Sequence, residues 1–379
     1  MEATYLTSAD FWDDRAPVAA AEFPGKIPAD PELRGHVLFA TSGSADHPRW
    51  IALSKSALRE SAKAVNRHLT VGPDSCWGLA LPTQHVGGFG VVARAAAADC
   101  ALCEFRGRWN APVFAQWLTD HQVTHTSLVP TQVFDLVASQ VTAPASLVAV
   151  VVGGGHLDAP TGQAARALAW PVLASYGMTE AGSQIATQGM DSLGTLYQPA
   201  PLPLLPIWQA ETTAEQLLCI AGPALFSGWM VSEGAGWAFH PRPSPWHPTR
   251  DRVTLSERLL TPIGRADTQV KVLGELVDLE SLERELADLS AGKLTPGSMV
   301  IVAVPDARAG HLLVPVFGGS TDASSVTEAL IRYAASAPGF RRLLAPVRLD
   351  FLPVSPLGKP RRAEIMAAIL PLLENHSCR

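Results

Sequence analysis

Short apolar runs alternate with helical stretches through the first half of this chain, and that alternation constrains the fold more than any single motif. His36 to Ala40, Cys76 to Leu81 and Leu147 to Val152 read as strands, and Pro171 to Ala174 is a further short apolar segment. Ser54 to Leu69, Pro112 to Asp120 and Thr131 to Ser139 have helical spacing, with Ser54 or Ser56 as the N-cap of the first. Strands that alternate with helices predict a largely parallel sheet. Leu147 to Val152 is apolar at almost every position, as a strand covered on both faces requires. The expected class is α/β, with mostly parallel sheets flanked by helices.

The flanking segments differ. The first 35 residues, with prolines at 17, 24, 28 and 31, read as a peripheral arm. Trp229 to Pro248 is rich in Trp, Pro, Gly and His and reads as irregular or antiparallel structure. After Gly264 a new pattern begins. Leu279, Leu282, Leu286 and Leu289 fall on one helical face. Ser298 to Val304, Leu312 to Phe317 and Val347 to Leu352 read as strands, and Ser324 to Ala335 as a helix. A chain of 379 residues exceeds what one core usually holds. Two domains are expected: an N-terminal one over 1–264 and a small, mobile α+β one over 265–379.

Composition excludes several classes. With 47% hydrophobic and 17% charged residues the chain can bury a large core and is not a disordered one. A net charge of −6 gives no footprint for nucleic acid. No apolar run reaches the roughly 18 residues that cross a bilayer, so no membrane insertion is expected. Met1 to Arg15 lacks the basic-then-apolar pattern of a secretory leader. Five cysteines fit a reducing cytoplasm better than a disulfide framework, and Cys100 and Cys103 form an isolated CxxC without zinc spacing. The expected location is cytoplasmic.

Several short segments carry candidate chemistry. Thr41, Ser42, Gly43 and Ser44 open a polar loop that ends near Arg49, placed between a strand and a helix. Backbone N–H groups and hydroxyls in such a turn suit phosphate oxygens, although it is not a Walker loop. Tyr176-Gly177-Met178-Thr179-Glu180 follows an apolar segment. Its Glu180 could ligate Mg²⁺, Thr179 a phosphate, and Tyr176 offers a flat face. Gly153, Gly154 and Gly155 let backbone approach a flat ligand. Asp251 and Arg265 are an acceptor and a donor for ribose hydroxyls, or members of surface ion pairs. Lys359 lies in a Pro/Gly-rich loop, where a cation can neutralise charge developing at a phosphate. His85, ahead of Gly87 and Gly88, is a candidate pocket residue.

Taken together and in order, these segments resemble the adenylate-forming superfamily of acyl-CoA synthetases, carrier-loading adenylation domains and luciferases. TSGSADHPR at 41–49 is similar to the family's TSG[ST]TGxPK loop, and SYGMTE at 175–180 to its metal-binding motif. TRD at 249–251 stands in the place of TGD, GRADTQVKVLGE at 264–275 is similar to GRxDDxIKxxGE, and PLGKPRR at 356–362 to the terminal GKxxR. Within the superfamily the chain looks most like the o-succinylbenzoate–CoA ligases of menaquinone biosynthesis. That likeness rests on LPTQHVGG at 81–88, VTHTSLVPTQ at 123–132 and YGMTEAGSQIAT at 176–187, with Arg94 nine positions after His85.

The resemblance implies a two-step ligase that uses ATP, Mg²⁺ and CoA. Lys359, Thr179, Glu180 and Arg265 would be catalytic, with Glu180 holding the metal. Thr41 to Ser44, Arg49, Gly153 to Gly155, Ser175, Tyr176, Gly177, Thr179, Asp251 and Arg265 would bind the nucleotide. His85, Arg94, Ser183 and Gln184 would receive the acid. Asp267 would be the hinge, and Lys271, Gly274 and Glu275 would line the CoA channel.

The chain also departs from the family pattern. Asp46 stands where a second glycine is usual, Arg49 replaces a lysine, Trp50 a glycine, and Arg250 the glycine of TGD. The phosphate loop begins at 41, so part of the N-terminal layering of longer relatives is expected to be missing or supplied by a partner, and a homodimer is compatible with that. Three readings follow: this ligase, an adenylating enzyme for another acid or a carrier-protein thiol, and a non-catalytic ligand-binding homologue.

Overall fold

The alternation of strand and helix becomes a sheet-centred larger unit in the computed structural model. It describes residues 2–41, 49–233, 236–273, 275–290, 292–295, 297–306, 308–355 and 359–374. The larger unit comprises Met1–Thr213, Leu218–Thr249 and Leu255–Thr261. The smaller comprises Ala214–Leu217, Arg250–Thr254 and Pro262–Arg379.

The larger unit opens with two short helices, α1 (Ala3–Thr7) and α2 (Ala9–Asp13), followed by strands β1 (His36–Thr41) and β2 (Arg49–Ser54) and helix α3 (Lys55–His68). Next come β3 (Cys76–Leu79), α4 (Val86–Ala98), β4 (Ala101–Glu104), α5 (Ala111–Asp120), β5 (His125–Leu128), α6 (Pro130–Ala138), β6 (Ala149–Val152) and α7 (Ala159–Ala167). The hairpin β7 (Val172–Met178) and β8 (Ser183–Thr187) follows, and then β9 (Gly228–Glu233) and β10 (Gly236–Pro241).

Six of these strands form one sheet in the order β4-β3-β5-β6-β7-β8, parallel except for the β7–β8 pair. Every residue of β6 is buried, which explains its lack of alternation. Another sheet takes β1, β2, β9 and β10 in antiparallel array, with Val18–Ala19 beside β1. The antiparallel option for Trp229 to Pro248 is thus the one adopted in β9–β10. Helix α3 starts where expected: Ser54 Oγ accepts the Ala57 N–H at 3.1 Å. Such a cap stabilises by about 1 kcal/mol.

The first residues are not a peripheral arm. Leu6 and Phe11 are fully buried and Trp12 nearly so. The Phe11 and Trp12 rings pack on Phe89 of α4, with centroids 6.1 and 6.3 Å away. Lys55 Nζ, itself buried, donates to the carbonyls of Phe11 and Asp14. Helices of five residues are too short to show a period, so the sequence hid them.

The smaller unit contains the hairpin β11 (Gln269–Val272) and β12 (Glu275–Asp278), then α8 (Leu279–Leu289), β13 (Met299–Asp306), β14 (Gly310–Gly318), α9 (Ala323–Ala334), β15 (Val347–Leu349) and α10 (Arg362–Glu374). Strands β13 and β14 are antiparallel and β15 runs parallel to β14. The period of two in β13 sorts its side chains between two cores. Met299 and Ile301 join Leu279, Leu282 and Leu286 of α8, whereas Val300 and Val302 meet Ile365 and Ile369 of α10.

Candidate active site

The segment Tyr176 to Glu180 is the end of β7 and the 3₁₀ turn Thr179–Ala181. The chain reverses at Gly182 and returns as β8. Gly177 lies opposite Gln184, and a Cβ there would stand 1.8 Å from the Ser183 carbonyl oxygen. Only glycine lets the two strands meet this closely. The turn is tied down by Phe226, whose N–H donates to the Glu180 carbonyl at 2.8 Å. Thr179 and Glu180 are both half-buried on it.

Tight reversal forces Ser183 to a φ of 130°, a region that L residues avoid at about 1–3 kcal/mol. Its hydroxyl is thereby brought to Arg94. Arg94 Nη2 donates to Ser183 Oγ and Nη1 to Ser127 Oγ, each at 3.1 Å. The guanidinium also lies over the Trp77 ring, 5.2 Å from its centroid. Its backbone carbonyl accepts from Asn66 Nδ2 at 2.8 Å. Gly90, one helical turn before it, makes room: a Cβ would be 3.1 Å from Arg94 Nη2 and 3.2 Å from Ser183 Oγ.

Arg94 is 2% exposed, and among the described residues no carboxylate lies within ion-pair distance. Burial pushes its pKa down to about 9. It therefore stays a cation at neutral pH, but one surrounded by neutral partners. An uncompensated buried charge is expensive, and an anion would relieve it. Gln184, the next residue after Ser183, takes a different course. Its Oε1 accepts from Thr187 Oγ1 at 2.6 Å, and its buried Nε2 has no protein partner among the described residues.

Other candidates gather at the carboxyl ends of the parallel strands, where ligands of open α/β sheets bind. Gly153 follows β6 and its N–H bonds the Leu128 carbonyl at the end of β5. A Cβ on Gly153 would be 3.6 Å from Ser175 Oγ. Gly154 has a φ of 77°. His85 immediately precedes α4 and is half-buried.

In the smaller unit Arg265 Nη1 donates to Asp251 Oδ1 at 2.9 Å, so the two ribose candidates form one ion pair. Asp267 lies in the 3₁₀ turn Ala266–Thr268. Lys271 and Glu275 are exposed on the β11–β12 hairpin. Lys359 is exposed too, and its backbone N–H and carbonyl bond Ser355 at 3.1 and 2.7 Å. Ser42, Gly43, Ser44, Asp46 and Gly274 lie outside the described residues. For Thr41 and Arg49 only the strand backbone is described.

Ser127 and Trp77 were missed as site residues. Ser127 sits inside VTHTSLVPTQ, between Thr126 and Leu128 in a fully buried strand, and a hydroxyl pair in such a short buried strand was the available signal. Trp77 had none, because a tryptophan in an apolar strand reads as core.

A glycine-backed carboxylate turn at the edge of a mostly parallel sheet, with a buried guanidinium on the helix α4 beside it, fits a known class. The family model "AMP-binding enzyme" matches residues 9–230, and the chain belongs to that family. Among curated relatives, the 2-succinylbenzoate–CoA ligase of Escherichia coli K12 is 30% identical over 280 residues, which is 73% of this chain and 57% of the relative. The chain thus spans under two thirds of that protein's length. The o-succinylbenzoate CoA synthetase of Bacillus subtilis in complex with the acyl-adenylate intermediate OSB-AMP superposes with a TM-score of 0.71 at 20% identity, over 87% of this chain and 68% of that one. The same enzyme with ATP and magnesium ion gives 0.69 at 20% identity, over 86% and 69%. The adenylate-forming fold expected from the motifs is the fold found. No helix among the described residues is long and apolar enough to cross a membrane.

Proposed function

We propose that this chain is an ATP-dependent acid–CoA ligase that works through an acyl-adenylate, with an o-succinylbenzoate-like aromatic dicarboxylate as the acid. The observation that carries this reading is Arg94: a buried cation held by Ser127, Ser183 and Trp77 with no carboxylate of its own among the described residues. An acid with a second carboxylate would supply the missing counter-charge. The relatives named 2-succinylbenzoate–CoA ligase support the same acid class.

The division of labour would follow the two units, with a boundary at 264/265 and Asp267 as hinge. In the first step a carboxylate oxygen attacks the α-phosphorus of ATP. The new O–P bond forms as the bond to pyrophosphate breaks, and pyrophosphate leaves with the electron pair. Lys359 would neutralise charge at that phosphate, Thr179 would bond a phosphate oxygen, and Asp251 and Arg265 would hold the ribose. Gly153 to Gly155, Ser175 and Tyr176 would bed the nucleoside. Among the described residues no group of three or more His, Cys, Asp or Glu is placed to hold a metal ion by itself. Glu180 plus phosphate oxygens is nonetheless a donor set that Mg²⁺ accepts, and the ion would supply charge neutralisation. In the second step the CoA sulfur attacks the acyl carbon, AMP leaves with the electron pair, and the thiol proton passes to solvent. Lys271 and Glu275 would flank the thiol's approach.

Incubation with ATP, Mg²⁺, CoA and o-succinylbenzoate should release AMP and form a thioester. AMP release without CoA turnover would point to another acceptor thiol. Binding of ligand with no pyrophosphate release from this acid or a panel of aryl and alkyl acids would overturn the ligase reading.

A further inference from the structure

A guanidinium–carboxylate clamp lies three residues beyond Lys359. Arg362, at the start of α10, donates to both oxygens of Glu283 on α8, at 2.6 Å from Nη1 and 2.9 Å from Nη2. Nη1 also donates to the Ile301 carbonyl of β13 at 2.7 Å, and the same Glu283 carboxylate accepts the Ile301 N–H. One ion pair therefore joins a helix, a strand and the first residue of a second helix.

The backbone leads straight from that clamp to Lys359. The Arg361 N–H donates to the Pro353 carbonyl at 2.9 Å, and Val354 pairs with Pro360 as an antiparallel bridge. The Ser355 N–H donates to the Lys359 carbonyl, and the Lys359 N–H to Ser355 Oγ. On the other side α10 is seated by buried Ile365 and Ile369. Among the described residues Lys359 is held through its backbone alone, so its placement is inherited from this ladder. Apolar seating alone leaves a helix free to slide and turn by small amounts. A bidentate pair that also holds two backbone atoms of β13 fixes its register.

We propose that Glu283 and Arg362 are positioning residues for Lys359, setting where its ammonium stands for the adenylation step. This rests on the ligase reading above. Displacements of about 1 Å at a charge-stabilising group cost on the order of 10²-fold in rate.

The test separates the two half-reactions. Adenylation is followed as pyrophosphate release from ATP with o-succinylbenzoate. Thioester formation is followed from preformed o-succinylbenzoyl-adenylate and CoA. Arg362→Lys and Glu283→Gln should lower the adenylation kcat by about 10- to 100-fold while the KM for ATP moves by less than about twofold. Thioester formation should stay within about twofold of the native rate, a split that a general loosening of the unit would not give. Native adenylation in both variants, or parallel loss of both half-reactions, overturns the inference. Should Glu283→Gln fail to fold, Arg362→Lys keeps the charge and approximate length and tests the inference by itself. Lys359→Ala is the reference. If it adenylates at the native rate, the catalytic assignment fails and the inference with it. If it alone loses adenylation, only the positioning inference falls.

Discussion

Arg94 and Arg362 are both largely withdrawn from water, yet burial leaves them in opposite states. Around Arg94 there are two hydroxyls and an aromatic face, and desolvation drags its pKa down to about 9. Burial also pulls Arg362 down, but the hydrogen bond and charge of Glu283, with the charges of Glu280 and Asp278, more than offset it and raise its pKa. One arginine has its anion within the chain, and the other has none among the described residues. Removing one partner of the first kind strands the other, whereas a cation of the second kind would, on the proposed reading, take its anion from a ligand.

The largest test of that contrast is Glu283→Ala. It would strand Arg362 and leave the Ile301 N–H without its acceptor. A loss of about 1–3 kcal/mol is expected in chemical denaturation, since removing one partner of this part-buried pair leaves the other's hydrogen bonds unmet. Stability unchanged within about 0.5 kcal/mol would place Arg362 on the same footing as an ordinary surface ion pair. Arg94→Met should behave in the reverse sense. Replacing an unpaired buried cation by an apolar side chain of similar length should leave stability level or raise it by about 1 kcal/mol in the same assay. A fall as large as that of Glu283→Ala would erase the distinction.

How far these roles could be read in advance follows from local physics. Glu180, Gly177 and Lys359 stood out only through the resemblance of SYGMTE and PLGKPRR to the family's motifs, since each segment taken alone reads as an ordinary solvated turn or loop. The paired leucines of α8 and the apolar run of β6 showed in their periodicity. Helix α4 left no such trace, since Gly87, Gly88 and Gly90 argue against a helix until it is known that Gly88 lies against the Leu81 and Pro82 carbonyls and Gly90 against Arg94 and Ser183. The clamp partner Glu283 was invisible for a similar reason. Its meaning depends on Arg362, 79 residues further along the chain. Contacts at such separation are set by tertiary packing, which no local pattern encodes.

pH sharpens the comparison further. The folded-state pKa of Arg94 lies below the ordinary arginine value, so the unfolded chain holds that proton more tightly. Its burial penalty is fully present below about pH 9 and is relieved as pH rises through that value. Affinity for a dicarboxylate acid should run the other way. It should be flat between roughly pH 7 and 8 and then fall by up to about tenfold per unit once Arg94 loses its charge. Titration calorimetry of the acid across this range checks it, with Arg94→Met expected to give a flat profile. Smallest of all, Trp77→Phe keeps a ring under the guanidinium but a weaker one. Acid affinity should drop by about 0.5 kcal/mol, and no matching effect is expected around Arg362, which has no such aromatic partner among the described residues.

The most direct measurement pairs two acids and two proteins. Binding of o-succinylbenzoate is compared with that of its analogue whose aromatic carboxylate is a neutral carboxamide, in the native chain and in Arg94→Met. The native protein should prefer the dicarboxylate by about 2 kcal/mol, the scale of a charge-assisted hydrogen bond, and the variant should bind both acids alike. An equal preference in both proteins would show that Arg94 is not the receptor for the second carboxylate.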